Sequence, residues 1–344
     1  MKENKDVTVL AIETSCDETS AAVVKNGREV LANVVYSQIE IHKEYGGVVP
    51  EIASRNHIPK LPEVVDQALP NGFAGIDAVA VTAGPGLLGA LLTGVSYAKA
   101  LAFALKKPLV AVNHIEGHIS ANLITYPELT PPFLCLVVSG GHTQIVWVED
   151  YCTYRMLGQT RDDAAGEAID KAARVLGLPY PGGPALEKLA ENGNPKAYRM
   201  PLSFRGQDHL DFSFSGPKTA VINMLHNMDQ KGEPYSKEDM AASFQASVIK
   251  MLADNTFKAA QREGAPKIAL AGGVSANGAL RRAFLKRGKK EGIEIFLPDP
   301  AYCTDNAAMI GSAAYYRYLR GERAGLDLNA HAVLPLEKTL NKMI

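Results

Sequence analysis

Residues 7–24 read VTVLAIETSCDETSAAVV, and residues 133–148 read FLCLVVSGGHTQIVWV. Each is a short apolar run rich in β-branched residues, then a polar turn, then a second apolar run. That pattern predicts two strands joined by a turn. Laying Leu10-Ala11-Ile12-Glu13-Thr14-Ser15 over Leu136-Val137-Val138-Ser139-Gly140-Gly141 shows almost no identity. The order of elements is nevertheless the same, so the chain starts twice.

Working outward from the first run, Asn26-Gly27 marks a hairpin turn into a strand over 29–36. A helix over 58–69, a strand over 77–82, the turn Gly84-Pro85-Gly86, a helix over 88–106 and a strand over 109–112 follow. From the second run, a helix over 240–262 leads to a strand over 267–271, then Gly272-Gly273. A helix over 277–290, a strand over 293–297 and a helix over 305–320 complete the series. Strands alternating with helices predict parallel crossover units in an α/β fold. The expectation is two related lobes around a ligand cleft lined by strand-end turns. The N-terminal lobe covers 1–130 and the C-terminal lobe 131–305, with an insertion at about 150–235. A terminal helix and tail over 306–344 is expected to pack back on the first lobe. Within the insertion the pattern predicts helices over 164–176 and 185–191, and a loop-rich, aromatic-dotted stretch over 201–216.

Charge narrows the function classes. Thirty-six Lys and Arg stand against 37 Asp and Glu, a net charge of −1, which excludes a broadly basic nucleic-acid coat or a polybasic membrane binder. A local patch remains open: Arg281, Arg282, Lys286, Arg287, Lys289 and Lys290 cluster on one predicted helix and could meet an RNA backbone or a partner. Cys16, Cys135, Cys152 and Cys303 show no CxxC spacing, so free thiols in a reducing, cytoplasmic setting are expected. The N-terminus carries a strand-length apolar run and not a signal peptide. The apolar stretch 87–112 is interrupted by Lys99, Lys106, Lys107 and Pro108, so it reads as helix plus strand and not as a membrane span.

Two constellations carry chemistry. Four glycine turns, Ser139-Gly140-Gly141-His142-Thr143, Gly84-Pro85-Gly86, Gly182-Gly183-Pro184 and Gly272-Gly273, let backbone N–H groups approach an anion. Hydroxyls at Ser139 and Thr143 add donors. No P-loop or Rossmann fingerprint occurs, but four such turns point to a nucleotide or other phosphate ester. The second constellation is Asn113-His114-Ile115-Glu116-Gly117-His118. His114 and His118 are four apart and share one helix face, with Asp305 as the distant third ligand of an open His₂Asp metal site. A helical turn with two ordinary, partly buried histidines is the plainer alternative. Glu116 lies two residues from either His, which does not support HExxH chemistry.

The motifs Ile12-Glu13-Thr14-Ser15-Cys16-Asp17-Glu18-Thr19, Pro50-Glu51, Ala53-Ser54-Arg55, Gly84-Pro85-Gly86-Leu87, His114 to His118, Ser139 to Thr143, Ala271 to Asn277 and Thr304-Asp305-Asn306 resemble one family. It is the tRNA N6-adenosine threonylcarbamoyltransferases, once labelled O-sialoglycoprotein endopeptidases, and the resemblance runs along residues 7 to 320. It implies the actin/sugar-kinase/Hsp70 (ASKHA) fold around a nucleotide cleft. It implies transfer of the threonylcarbamoyl group from threonylcarbamoyl-AMP to N6 of adenosine 37 in tRNAs reading A-starting codons, with t6A and AMP as products. His114, His118 and Asp305 match the ligands of one divalent metal ion, iron or zinc. Val137, Val138, Ser139, Gly140, Gly141, Asp170, Gly183 and Asn277 match substrate and nucleotide positions, with Glu187 expected at the ribose; ATP, ADP or AMP would fit the same cleft. Glu13 and Asp17 are the candidates for a general base. The stretch 161–171 looks like the bacterial branch, whose partners besides tRNA are an inactive paralogue of the same fold and a small P-loop ATPase, with no membrane. A metal-dependent glycoprotein endopeptidase, an ASKHA-type small-molecule kinase and a non-enzymatic paralogue are the rival readings. The chain departs from the family pattern at Asn113, where many relatives have a further His, and at Pro217 before Lys218, where a Leu is expected.

Overall fold

The computed structural model describes residues 6–203 and 208–337. Phe204–Gln207 of the aromatic-dotted loop and the tail from residue 338 on lie outside the described residues. Two compact units emerge. Of the described residues, the first takes those up to Pro131, the short piece Val148–Tyr154 and those from Pro298 to 337; the second takes those of Pro132–Trp147 and Arg155–Leu297. The return to the first unit thus falls before residue 305. Asp299 is already tied there, its N–H donating to Thr125 Oγ1 at 3.0 Å.

The first unit runs β1 (Thr8–Glu13), β2 (Glu18–Lys25), β3 (Glu29–Ser37), α1 (Ile39–Lys43), α2 (Pro50–Ala68), β4 (Ala78–Gly84), α3 (Leu88–Leu105), β5 (Leu109–Asn113) and α4 (His114–Thr125). The second runs β6 (Phe133–Val138), β7 (Thr143–Asp150), β8 (Thr153–Gln159), α5 (Ala165–Val175), α6 (Gly182–Ala190), α7 (Ser215–Lys231), α8 (Lys237–Glu263), β9 (Lys267–Ala271), α9 (Gly278–Glu291) and β10 (Glu294–Phe296). Helix α10 (Ala307–Leu319) then rejoins the first unit.

The repeated start is a repeated topology. One sheet has the order β3-β2-β1-β4-β5 and the other β8-β7-β6-β9-β10, so each later strand occupies its counterpart's place. In the first, β1 pairs antiparallel with β2 and parallel with β4. In the second, β6 and β9 pair parallel. Strands β4 and β6 are buried along their whole length, as central strands covered on both faces must be, and the edge strand β5 is buried as well.

Helix α2 starts eight residues ahead of its expected position, because Pro50 sits in its first turn and tolerates the missing N–H there. Pro59 and Pro62 lie inside the helix on its exposed side. The buried stripe Ala53, His57, Leu61, Val64, Val65 and Ala68 keeps helical spacing through them, so packing outweighs the two lost hydrogen bonds. Helix α3 is long and apolar enough to cross a membrane by length and composition. One of its faces supplies Leu91, Val95, Ala98 and Ala102 to the core of the first unit. Within segment 155–235, β8 completes the second sheet, and Ala165, Ile169, Leu186, Phe212 and Val221 join the core of that unit. Pro217 stands in the first turn of α7 and not in a loop, where its missing N–H costs no intrahelical bond.

The turn Gly84-Pro85-Gly86 is covered by the chain's own tail. His331 N–H donates to Ala83 O at 2.8 Å and Gly86 N–H to Ala332 O at 3.2 Å. A Cβ on Gly84, whose φ is +150°, would overlap the His331 carbonyl oxygen. This turn is glycine for backbone approach to the tail, which corrects its reading as an open ligand turn.

Candidate functional site

Strand β5 delivers the candidate metal motif. Asn113 ends the strand in an extended conformation, and its side-chain oxygen accepts the Ile115 N–H at 2.9 Å, capping α4. Its amide also donates to Leu334 O at 3.1 Å. The residue that departs from the family pattern is therefore a helix cap that also anchors the tail. His114 and His118 follow on one face of α4, their rings edge to face with centroids 4.6 Å apart. Asp305 lies in the turn ahead of α10, which is capped by the side chain of Asn306.

The three side chains converge. Asp305 Oδ1 lies 3.5 Å from His114 Nε2 and 3.2 Å from His118 Nε2, and one ligand atom from each lies within 4.8 Å of the others. His118 is fully buried, and neither ring nitrogen makes a hydrogen bond; its Nε2 has the 3.2 Å ion-pair contact to Asp305 Oδ1. His114 Nδ1 is 3.1 Å from Glu13 Oε2 and 3.1 Å from Ser15 Oγ. A proton on Nδ1, donated to Glu13, leaves the Nε2 lone pair aimed at Asp305. Metal bonds of about 2.0–2.2 Å place neighbouring ligand atoms about 3 Å apart. The spacing, the donor set and the orphaned His118 nitrogens all fit one divalent cation.

Electrostatics follow the same geometry. Burial works against a charged His114, but the Asp305 and Glu13 carboxylates outweigh it and raise its pKa well above the histidine range. Burial likewise opposes a charged Asp305, yet the two histidines hold its carboxyl far below the carboxylate range. Burial keeps His118 below its ordinary value. Glu18, at the head of β2, is pushed up to about 9 by burial and by the Asp305 and Asp17 charges.

Glu13 is fully buried and fully engaged. Its Oε1 accepts the Ser15 N–H at 2.5 Å, and its Oε2 accepts Thr82 Oγ1 at 2.6 Å besides facing His114. Asp17 is buried in the same turn, and its backbone carbonyl accepts Gln38 N–H at 3.1 Å. Glu116 points away from both histidines. Its Oε2 takes Arg317 Nε at 2.7 Å, and its Oε1 accepts the Tyr154 hydroxyl at 3.2 Å.

In the second unit, β6 ends at Val138, and the following turn is braced from within. The Ser139 N–H donates to His142 O, and Ser139 Oγ accepts the His142 N–H. Thr143 Oγ1 accepts the Ala165 N–H at 2.9 Å. The two hydroxyls read as ligand donors thus hold the turn in shape. Gly140 and Gly141 are the open part, since a Cβ on either meets nothing. Val137 and Val138 are fully buried strand residues, so what they give a ligand passes through the turn they support. Asp170 Oδ1 accepts the Gly183 N–H at 3.1 Å at the start of α6. Asn277 caps α9 and donates to Gln245 Oε1 at 3.1 Å, while Glu187 Oε1 accepts the Gly278 N–H at 2.7 Å. Glu187, Gln245 and Arg282 also line a cavity of about 1020 Å³ among α6, α8 and α9. On the basic helix, Arg287 is paired with Asp254 and Glu291, and Arg281 folds back on Ser275 O.

The residues expected at a metal lie wholly in the first unit and those expected at a nucleotide wholly in the second. Residues the motif reading missed are Thr82, Tyr154 and Arg317. Of these, only Arg317 left a trace, as an arginine in the small-residue helix AAMIGSAAYYR.

The comparisons agree with one another. A family model described as tRNA N6-adenosine threonylcarbamoyltransferase matches residues 29–312. Two proteins of that name, from Clostridium kluyveri and Clostridium novyi (strain NT), are 57% and 58% identical over 331 residues, covering 95% of this chain and 97% of each relative. Among solved structures, T. kodakarensis HypF superposes with a TM-score of 0.61 at 15% identity, over 92% of this chain and 48% of that one. Component A of (R)-2-hydroxyglutaryl-CoA dehydratase from Acidaminococcus fermentans gives 0.53 at 16%, over 91% and 99%. These two likenesses concern the fold alone, which is the two-sheet α/β fold of the ASKHA type. On its family-model match and its relatives, the chain belongs to the tRNA N6-adenosine threonylcarbamoyltransferase family.

Proposed function

We propose that the chain, an acyltransferase acting on tRNA, moves the threonylcarbamoyl group of threonylcarbamoyl-AMP to N6 of adenosine 37 in tRNAs reading A-starting codons. In this reading His114, His118 and Asp305 hold one divalent ion, iron or zinc. The convergence of these three side chains, with two His118 nitrogens left without hydrogen bonds, carries the proposal.

The donor is a mixed anhydride already activated by its AMP leaving group. The N6–carbon bond forms, the carbon–oxygen bond to phosphate breaks with its electron pair on AMP, and N6 sheds one proton to solvent. Such a step needs positioning and charge stabilisation more than acid–base power. The bound cation would supply Lewis-acid stabilisation of negative oxygen. Glu13 orients the His114 ring, because both its oxygens are committed within the turn. The open Gly140-Gly141 backbone would meet the adenylate phosphate, with Asp170 holding Gly183 and Glu187 and Asn277 shaping the α9 N-terminus for the nucleoside. Glu116 cannot serve as the base that the peptidase alternative needs, because it is fully buried and committed to Arg317. Purified protein, supplied threonylcarbamoyl-AMP and unmodified tRNA should give tRNA-dependent AMP release and t6A in the digested nucleosides. Equal AMP release without tRNA would overturn the reading.

In this reading the protein works in the cytoplasm with an inactive paralogue of the same fold and a small P-loop ATPase, the partners expected for the bacterial branch. One exposed face suits a protein partner. Leu88, Leu92 and Phe103 are 48%, 40% and 71% exposed and fall within about 60° of one another around α3. Leu92→Glu with Phe103→Glu should abolish co-purification with the paralogue while leaving the fold intact. Undiminished co-purification would remove this face from consideration.

A further inference from the structure

We infer that the buried Glu116–Arg317 pair is a positioning device for the metal ligands, an inference that rests on the His₂Asp reading above. Two ligands ride on α4 and the third precedes α10, so the site is only as well formed as the register between these two helices. The helices touch closely at Gly117, where a Cβ would come within 2.6 Å of Ile310 Cδ1. Ser312 Oγ also lies 3.3 Å from Ser120 O, while its proton goes to Gly27 O at 2.6 Å. A small-residue crossing of this kind allows close approach but leaves rotation about the contact weakly resisted. Glu116 and Arg317 add an anchor two turns of α10 beyond Ile310. Both side chains are buried, 0% and 3% exposed, and Arg317 forks onto one carboxylate oxygen through Nε at 2.7 Å and Nη2 at 2.6 Å.

The supporting groups hold the anchor from both ends. The Tyr154 hydroxyl fills Glu116 Oε1, and Glu322 Oε2 takes Arg317 Nη1 at 2.5 Å. Burying such an ion pair roughly breaks even against a well-packed apolar pair, so stability gives little reason for it. Geometry gives one. Glu116 sits midway between His114 and His118 in sequence and on the opposite side of α4, so fixing it fixes the direction in which both imidazoles point. Outer groups that orient metal ligands commonly tune affinity by about 10–100-fold.

The test uses the full chain carrying Glu116→Gln with Arg317→Met, which removes both charges together and leaves neither unpaired. Zinc affinity is measured by competition with a chromophoric chelator, the Co(II) spectrum reports ligand geometry, and thermal unfolding of the metal-free protein reports the fold. The expected result is a fall in zinc affinity of about tenfold or more and an altered Co(II) spectrum, with an unfolding temperature close to wild type. Glu116→Asp, which keeps the charge but shortens the reach, should lower affinity in the same direction and decides the matter if the double variant does not fold. Wild-type zinc affinity in the foldable variants would overturn the positioning role. A His118→Ala control separates the two claims: if it too binds zinc like wild type, the metal reading itself has failed.

Discussion

Asp305→Ala is expected to leave the protein folded and its metal centre unable to hold an ion. Asp305 is partly exposed, and the cap of α10 comes from Asn306, so the helix keeps its start without the aspartate. What disappears is the oxygen ligand that faces both Nε2 atoms. Two histidines alone make a weak site. Metal analysis should therefore fall from one ion per chain to near none, and t6A formation from supplied threonylcarbamoyl-AMP should drop at least about 100-fold, the loss of roughly 2.7 kcal/mol of transition-state stabilisation. Nucleotide binding should be unchanged, since that residue set lies in the other unit. Retention of both metal and activity would remove Asp305 from the site.

Gly166→Val should do the converse. Gly166 is buried at the start of α5, donates its N–H to Ser139 O at 3.2 Å, and lies under the glycine turn. A Cβ there would stand 2.6 Å from Ser139 O and 2.8 Å from Gly140 Cα, both backbone atoms. The turn must therefore move. Overpacking of this kind costs about 1–3 kcal/mol, and a displacement of about 1 Å at a positioning group can cost about 100-fold in rate. Calorimetric titration with AMP should show affinity lowered about tenfold or more, while metal content stays at one ion per chain. Unaltered AMP binding would show that the Ser139–Gly141 backbone does not hold the nucleotide.

The fold was legible where local pattern and tertiary role coincide. The apolar runs at 7–12 and 133–138 became β1 and β6, and the duplicated order they announced reappears in both sheets. Strand β8, with its polar TYRMLGQ sequence, gave no alternation to read, and α7 begins with Ser-Gly-Pro, residues that elsewhere mark loops. The extra turns of α2 were hidden by Pro59 and Pro62, whose cost is met by a buried stripe that only the folded unit reveals.

The site was half legible. Two histidines four apart announce a shared helix face, and the structure sets them within reach of Asp305, far along the chain. What no spacing rule shows is the support behind them. Thr82 and Ser15 hold Glu13, Glu13 faces His114, and Arg317 comes from 201 positions beyond Glu116. The glycine turns divided likewise. Gly140 and Gly141 are open, whereas Gly84 serves the tail, because glycine records close approach without recording what approaches.

The most direct test of the central claim is metal removal and return. Protein stripped with a chelator and freed of it should form no t6A on unmodified tRNA from supplied threonylcarbamoyl-AMP, and one equivalent of zinc or ferrous iron should restore the rate in wild type but not in His114→Ala. Full transfer by protein shown to be metal-free would contradict the account.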